Sequence, residues 1–159
     1  MSVAFTREED YEATAANLPD RPVSAHPNYV TPEGLARIEA EFAAAKAAYG
    51  AAQVEGGVAA DRTAMARATR DLRYWSARRG SAQLVEAPAD AGRAAFGLTV
   101  TIEREDGRVQ IFRIVGEDEA DPKLGAISYV SPLARALLGK EVGDTVAAPG
   151  GAAEITAIG

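Results

Sequence analysis

Apolar residues recur in alternating steps of three and four over two stretches of the chain's first half. Leu35, Ile38, Phe42, Ala45, Tyr49 and Ala52 make the first stripe; Met65, Ala68, Leu72, Trp75, Arg79 and Ala82 repeat the spacing, with Arg79 as its one charged member. This spacing predicts two helices, each with a coiled-coil seam. Thr31-Pro32-Glu33-Gly34 opens the first, an N-cap residue followed by proline where a missing N–H costs nothing. Gly56-Gly57 breaks the pattern, and the second helix is expected from about Ala60 to Val85. Two seams joined by a short glycine loop fold back as an antiparallel hairpin, and small alanines let the two axes approach closely.

In the second half the period changes to two. Leu98–Glu103 and Gln110–Val115 flank Asp106-Gly107, a strong hairpin-turn signal. Further strands are expected at Ala126–Tyr129, Thr145–Ala147 and Glu154–Ile158, the last two separated by Pro149-Gly150-Gly151. The alternation predicts a core of Phe96, Val100, Ile102, Ile111, Ile114, Ile127, Leu133, Leu137, Val146, Ile155 and Ile158. An acidic turn, Glu117, Asp118, Glu119 and Asp121, closes at Pro122. Ser131-Pro132 starts a short helix whose stripe is Leu133, Ala136, Leu137 and Lys140, with Gly139 placed to end it. The pattern is that of an α+β protein. Its expected parts are an extension (1–30), a helical hairpin (31–86), a linker (87–92) and a β-rich domain (93–159).

The extension carries a capping-box pair, Thr6 and Glu9, ahead of a short helix expected from Arg7 to Asn17. Pro19, Pro22 and Pro27 then impose an extended path. His26, the single histidine, has no carboxylate cluster beside it and is expected to be an exposed loop residue.

Composition excludes several classes. With no cysteine there is no disulfide, thiol nucleophile or thiolate metal site. The net charge of −6 argues against broad adhesion to nucleic-acid backbone. No apolar run approaches the length of a membrane span, and the acidic N-terminus is not a secretory signal, so a cytoplasmic location is expected. Positive charge gathers on the second helix, where Arg62, Arg67, Arg70, Arg73, Arg78 and Arg79 outnumber Asp61 and Asp71. Such a stripe is either a solvated helix face or a basic arm facing an acidic partner. Tyr74 and Trp75 are expected to pack at the hairpin's base rather than to stack on a ligand. The acidic turn is expected to be solvated, since its spacing is loose for a metal and no histidine assists.

Several words in one order resemble the C-terminal domain of the Gre transcript-cleavage factors of bacterial RNA polymerase. They are Phe112-Arg113-Ile114-Val115-Gly116, Asp118-Glu119, Ile127-Ser128, Ser131-Pro132 with Ala134-Arg135-Ala136-Leu137-Leu138, and Glu141-Val142-Gly143-Asp144. The likeness runs from about Asn28 to the end and identifies an N-terminally extended member of the Gre family. It implies an FKBP-like C-terminal domain, an antiparallel β-sheet with one helix, behind a coiled-coil hairpin, in a monomer that binds RNA polymerase at the secondary channel. It implies no active site and no cofactor of the chain's own: Mg²⁺ enters only through the polymerase, and nucleic acid only through the elongation complex. The docking surface it implies comprises Asp118, Glu119, Tyr129, Val130, Ser131 and Pro132; the basic arm facing the channel would be Arg62, Arg67, Arg70 and Arg73.

At the hairpin tip the chain departs from the family. Gre factors place an acidic GD-x-x-EN phrase there, whose carboxylate oxygens suit Mg²⁺. Here the tip reads Gln53-Val54-Glu55-Gly56-Gly57-Val58-Ala59-Ala60-Asp61-Arg62, with Glu55 and Asp61 as its only acids. Each helix is also about a heptad short of the family pattern, a loss of ~10 Å per arm at ~1.5 Å per residue. A carboxylate must sit about 2 Å from Mg²⁺ to hold it. The expectation is therefore a channel-binding regulator that does not stimulate cleavage. The alternatives are a working cleavage factor using Glu55 and Asp61, and an FKBP-like module that binds some other protein.

Overall fold

The computed structural model describes residues 18–54 and 59–159, the side chains of 59–61 excepted. Two long helices, α1 (Pro32–Val54) and α2 (Ala59–Ser81), are each 23 residues long. Their buried positions are Ile38, Ala45 and Ala52 on α1, and Ala68 and Trp75 on α2, all on the expected stripes. The stripe fails at one place. Arg78, not Arg79, is buried, at 1% exposure. Arg78 and Arg79 stand three and four residues on from Trp75, on either side of the stripe, and spacing alone does not select the buried one. Arg79 is exposed and lays its guanidinium 4.9 Å from the centre of the Phe42 ring. Helix α2 ends at Ser81, short of Val85, because Gln83–Leu84 forms a strand, β2.

The chain divides into two compact units. Among the described residues, one holds 18–25 and those of Ile38–Ser81; the other holds His26–Arg37 and Ala82–Gly159. The second unit contains two sheets. The smaller pairs β1 (Tyr29–Val30) with β2 in parallel, Tyr29 against Gln83 and Val30 against Leu84. Asn28, Val30 and Thr31 are buried, so the last residues of the expected extension belong to a folded unit rather than to a linker.

The larger sheet has the order β5-β4-β3-β7-β6. Its strands are β3 (Thr99–Arg104), β4 (Val109–Val115), β5 (Ala126–Ser128), β6 (Thr145–Ala148) and β7 (Gly151–Ile158). Gly107, at φ 85°, turns β3 into β4 in a backbone region that other residues adopt only with strain. The expected antiparallel sheet is corrected to a mixed one, since β5 runs parallel to β4. Two short 3-10 turns, Glu117–Glu119 and Pro122–Leu124, carry the chain back along the strand and make that return possible.

One face of the sheet builds the core: Val100, Ile102, Ile114, Ile127, Val146, Ala153 and Ile155 pack with Ala134 and Leu137 of the short helix α3 (Pro132–Leu137). Phe96, Leu133 and Ile158 are partly buried against them. Ile111 is a correction, being 60% exposed. It stands an odd number of residues from Ile114, so one strand must put them on opposite faces. The α3 stripe is corrected too. Ala134 takes the buried place expected for Ala136, and Lys140 lies beyond the last helical residue, with Gly139 at φ 80° just past the C-cap.

Candidate functional site

The first turn of α1 is fastened to the acidic 3-10 turn by one carboxylate. Glu119 Oε2 accepts hydrogen bonds from the backbone N–H groups of Thr31 (3.2 Å) and Gly116 (3.3 Å). Its Oε1 accepts a short hydrogen bond from the Thr31 hydroxyl. The same hydroxyl accepts from the Gly34 N–H at 3.0 Å, capping α1 as the sequence predicts. Close approach dictates two glycines here. A Cβ on Gly34 would lie 2.2 Å from the Glu119 carboxylate, and one on Gly116 would lie 2.3 Å from the Tyr29 carbonyl oxygen. Glu119 therefore does not present its charge at an exposed acidic patch: the carboxylate is turned inward and consumed by backbone and hydroxyl donors. A second tie joins the same turn to the sheet. Arg113 donates to Glu33 (3.4 Å) and to the Gly97 carbonyl oxygen (3.2 Å). The Glu33 carboxyl is held below its usual range, first by its own backbone N–H at the helix start, then by the charge of Arg113 and the hydroxyl of Thr31.

The loop from Tyr129 to Pro132 lies between β5 and α3. Ser131 Oγ accepts from the Ala134 N–H (3.2 Å), and Pro132 occupies the first helical position, exposed. The Val130 N–H donates to Ser128 Oγ at 3.3 Å. Tyr129 is committed to the fold more than sequence indicates. Its hydroxyl donates to the Pro27 carbonyl oxygen, and its ring centre lies 5.3 Å from that of Tyr29 and 5.8 Å from that of Phe96. Asp118, beside the latch, is half-buried. Pro132 is the exposed member of the expected surface, and Asp118, Tyr129, Val130 and Ser131 are half-buried on a backbone pinned by caps and ring contacts.

Arg62 and Arg67 are exposed on α2. Arg70 pairs with Asp71 at 3.3 Å and Arg73 with Asp20 at 3.2 Å. Glu55 and the side chain of Asp61, the two tip acids, lie outside the described residues. Among the described residues no group of three or more acidic or histidine side chains gathers to hold a metal ion, and no helix is long and apolar enough to cross a membrane. Sequence reasoning missed Thr31, Gly34 and Gly116 as one assembly. A glycine inside the first turn of a long helix, where it weakens the helix, was the available signal.

Residues 89–158 match the family model described as transcription elongation factor, GreA/GreB, C-terminal. Two curated relatives carry the name transcription elongation factor GreA. The protein of Alkalilimnicola ehrlichii is 56% identical over 66 residues, covering 40% of this chain and 42% of the relative. That of Anaeromyxobacter sp. (strain K) is 47% identical over 87 residues, covering 52% and 51%. The chain thus spans about half the length of the curated relatives it matches. Among solved structures, GreA factor homolog 1 (Gfh1) of Thermus thermophilus aligns over 84% of this chain and 99% of its own, at 19% identity and a TM-score of 0.40.

Proposed function

We propose that this chain, whose residues 89–158 match the GreA/GreB transcription elongation factor family, binds bacterial RNA polymerase at its secondary channel without stimulating transcript cleavage. In this reading the C-terminal unit is an FKBP-like head. The two 23-residue helices, each about 34 Å long, form an antiparallel coiled-coil arm. Support for the arm comes from the buried Ala45 and Ala52 of one helix and Ala68 and Trp75 of the other, and from the Arg79 guanidinium lying 4.9 Å from the Phe42 ring centre. Docking is assigned to Asp118, Tyr129, Val130, Ser131 and Pro132. Glu119 acts behind them, holding the start of the arm. The chain acts as an accessory factor with no catalytic group, and the working Mg²⁺ belongs to the polymerase.

One observation carries the absence of cleavage stimulation: the tip, Gln53 to Arg62, lacks the paired acidic phrase, and its two acids are separated by a Gly-Gly break. Metal assistance fails steeply with misplacement, a ~1 Å error costing on the order of a hundredfold. The test is a stalled, backtracked elongation complex given this protein alone. The expected result is binding, with cleavage at the polymerase's own background rate. Cleavage well above background that disappears in the Glu55→Ala, Asp61→Ala double variant overturns the proposal and makes the chain a working cleavage factor. Failure to bind core polymerase at all, with the fold intact, points instead to another protein partner.

A further inference from the structure

The segment just before the second unit is seated on α2. Asp20 pairs with Arg73 at 3.2 Å, and Arg21 lies 3.6 Å from Asp71. The Arg21 guanidinium also stacks over the Tyr74 ring, 3.9 Å from its centre, and lies 5.3 Å from the centre of Trp75. Tyr74 and Trp75 meet edge to face at 4.9 Å. Two side chains adjacent in sequence thus engage four of the five positions from Asp71 to Trp75, all but Leu72. The segment is Pro19-Asp20-Arg21-Pro22. A proline on each side restricts the backbone before it docks, so less freedom is lost on seating.

We propose that residues 18–25 are an intramolecular cover over the basic and aromatic face of α2, which occupies the place an acidic partner surface would take. This rests on the reading of α2 as an arm that faces such a partner. Asp20 supplies to Arg73 the carboxylate that a partner would supply, and Arg21 shields the aromatic pair while drawing Asp71 toward itself. The contacts are charged and solvent-facing, so they are individually weak and screened by salt. A cover held in this way is exchangeable: a partner with several carboxylates displaces it, whereas a single acid does not. Arg67, exposed on the same helix, gives a partner its first foothold.

Trp75 is the only tryptophan, so its fluorescence reads the cover directly. The decisive variant is Arg21→Ala in the full chain. It removes a positive charge, so charge alone predicts weaker binding to an acidic polymer; release of the cover predicts tighter binding. The probes are acrylamide quenching of Trp75 at low salt and titration with poly-L-glutamate. Arg21→Ala is expected to raise quenching with the helical circular dichroism unchanged. It should tighten poly-L-glutamate binding about two- to fivefold, the scale of one exposed cation–π contact. Arg21→Lys, which keeps the charge but loses the planar stack, should fall between. Quenching unchanged in Arg21→Ala overturns the cover. Poly-L-glutamate binding that weakens or is not measurable in the variant overturns its role in excluding acidic partners. If both contrasts hold while neither protein binds core polymerase, the cover stands and the secondary-channel function falls.

Discussion

The two units hold themselves together by different means. The sheet unit buries branched aliphatic side chains to completion: Val100, Ile102, Ile114 and Ile155 are at 0% exposure. Each such residue contributes roughly 1.5–3 kcal/mol when removed from water. The helical unit relies on Ala45, Ala52 and Ala68 along its seam, with Trp75 as its one large buried apolar residue apart from Ile38. A methyl group offers roughly 0.8 kcal/mol. The difference teaches where rigidity and adaptability lie. The sheet unit holds its loops on a rigid frame; the helical unit has weaker burial and draws on exposed ion pairs and a cation–π contact from residues 20 and 21.

Four experiments break or sharpen that contrast, in falling order of expected effect. Ile102→Ala opens a cavity at the centre of the sheet and should cost about 2–5 kcal/mol in denaturant unfolding. A loss below 1 kcal/mol, typical of a surface change, would remove the sheet's claim to be the stronger half. Gly34→Ala drives a methyl group into the Glu119 carboxylate and should cost about 1–3 kcal/mol. In the Glu119→Ala background the same substitution should cost much less, and a double-mutant cycle that proves additive would mean the close approach is not the cause.

Native-state hydrogen exchange should rank the units without any mutation. Amides of Arg62–Leu72 are expected to exchange at least about tenfold faster than those of Val100–Ile102 and Phe112–Val115. The reverse order would make the alanine seam the more stable element. The smallest effect concerns Glu33. Its carboxyl is depressed in the folded state, so its contribution is present above the ordinary value of 4.5 and lost as pH falls through the lower folded value. Part of the drop in melting temperature between pH 6 and pH 3 should therefore vanish in Glu33→Gln. An identical drop in both proteins would show that the Arg113 tie adds nothing measurable.

Much of the fold was legible because its signals are local. The two helical seams, the Asp106-Gly107 hairpin and the Ser131-Pro132 helix start each depend on residues within a few positions of one another. The resemblance to Gre factors was equally legible, carried by contiguous words between Phe112 and Asp144. The error at Ile111 was avoidable on the same local grounds, since strand parity alone separates it from Ile114. Arg78 was harder, because two neighbouring arginines flank the stripe and helical spacing alone does not say which one turns inward.

By itself, then, the sequence determined the periodicities, the caps, the resemblance of its C-terminal part to Gre factors and the absence of the acidic phrase between Gln53 and Arg62. Tertiary structure alone decided what the charged residues do. Glu119 sits in an acidic run that reads as solvated, yet its carboxylate bonds to Thr31, 88 positions away. Asp20 reads as part of a proline-rich linker, yet it pairs with Arg73 across 53 positions, and the Tyr129 hydroxyl finds Pro27 across 102. A carboxylate satisfied by water and one satisfied by a distant backbone N–H carry the same sequence signature. Which occurs depends on loop closures whose entropic cost is recovered only when the whole unit packs, and no local pattern records that outcome.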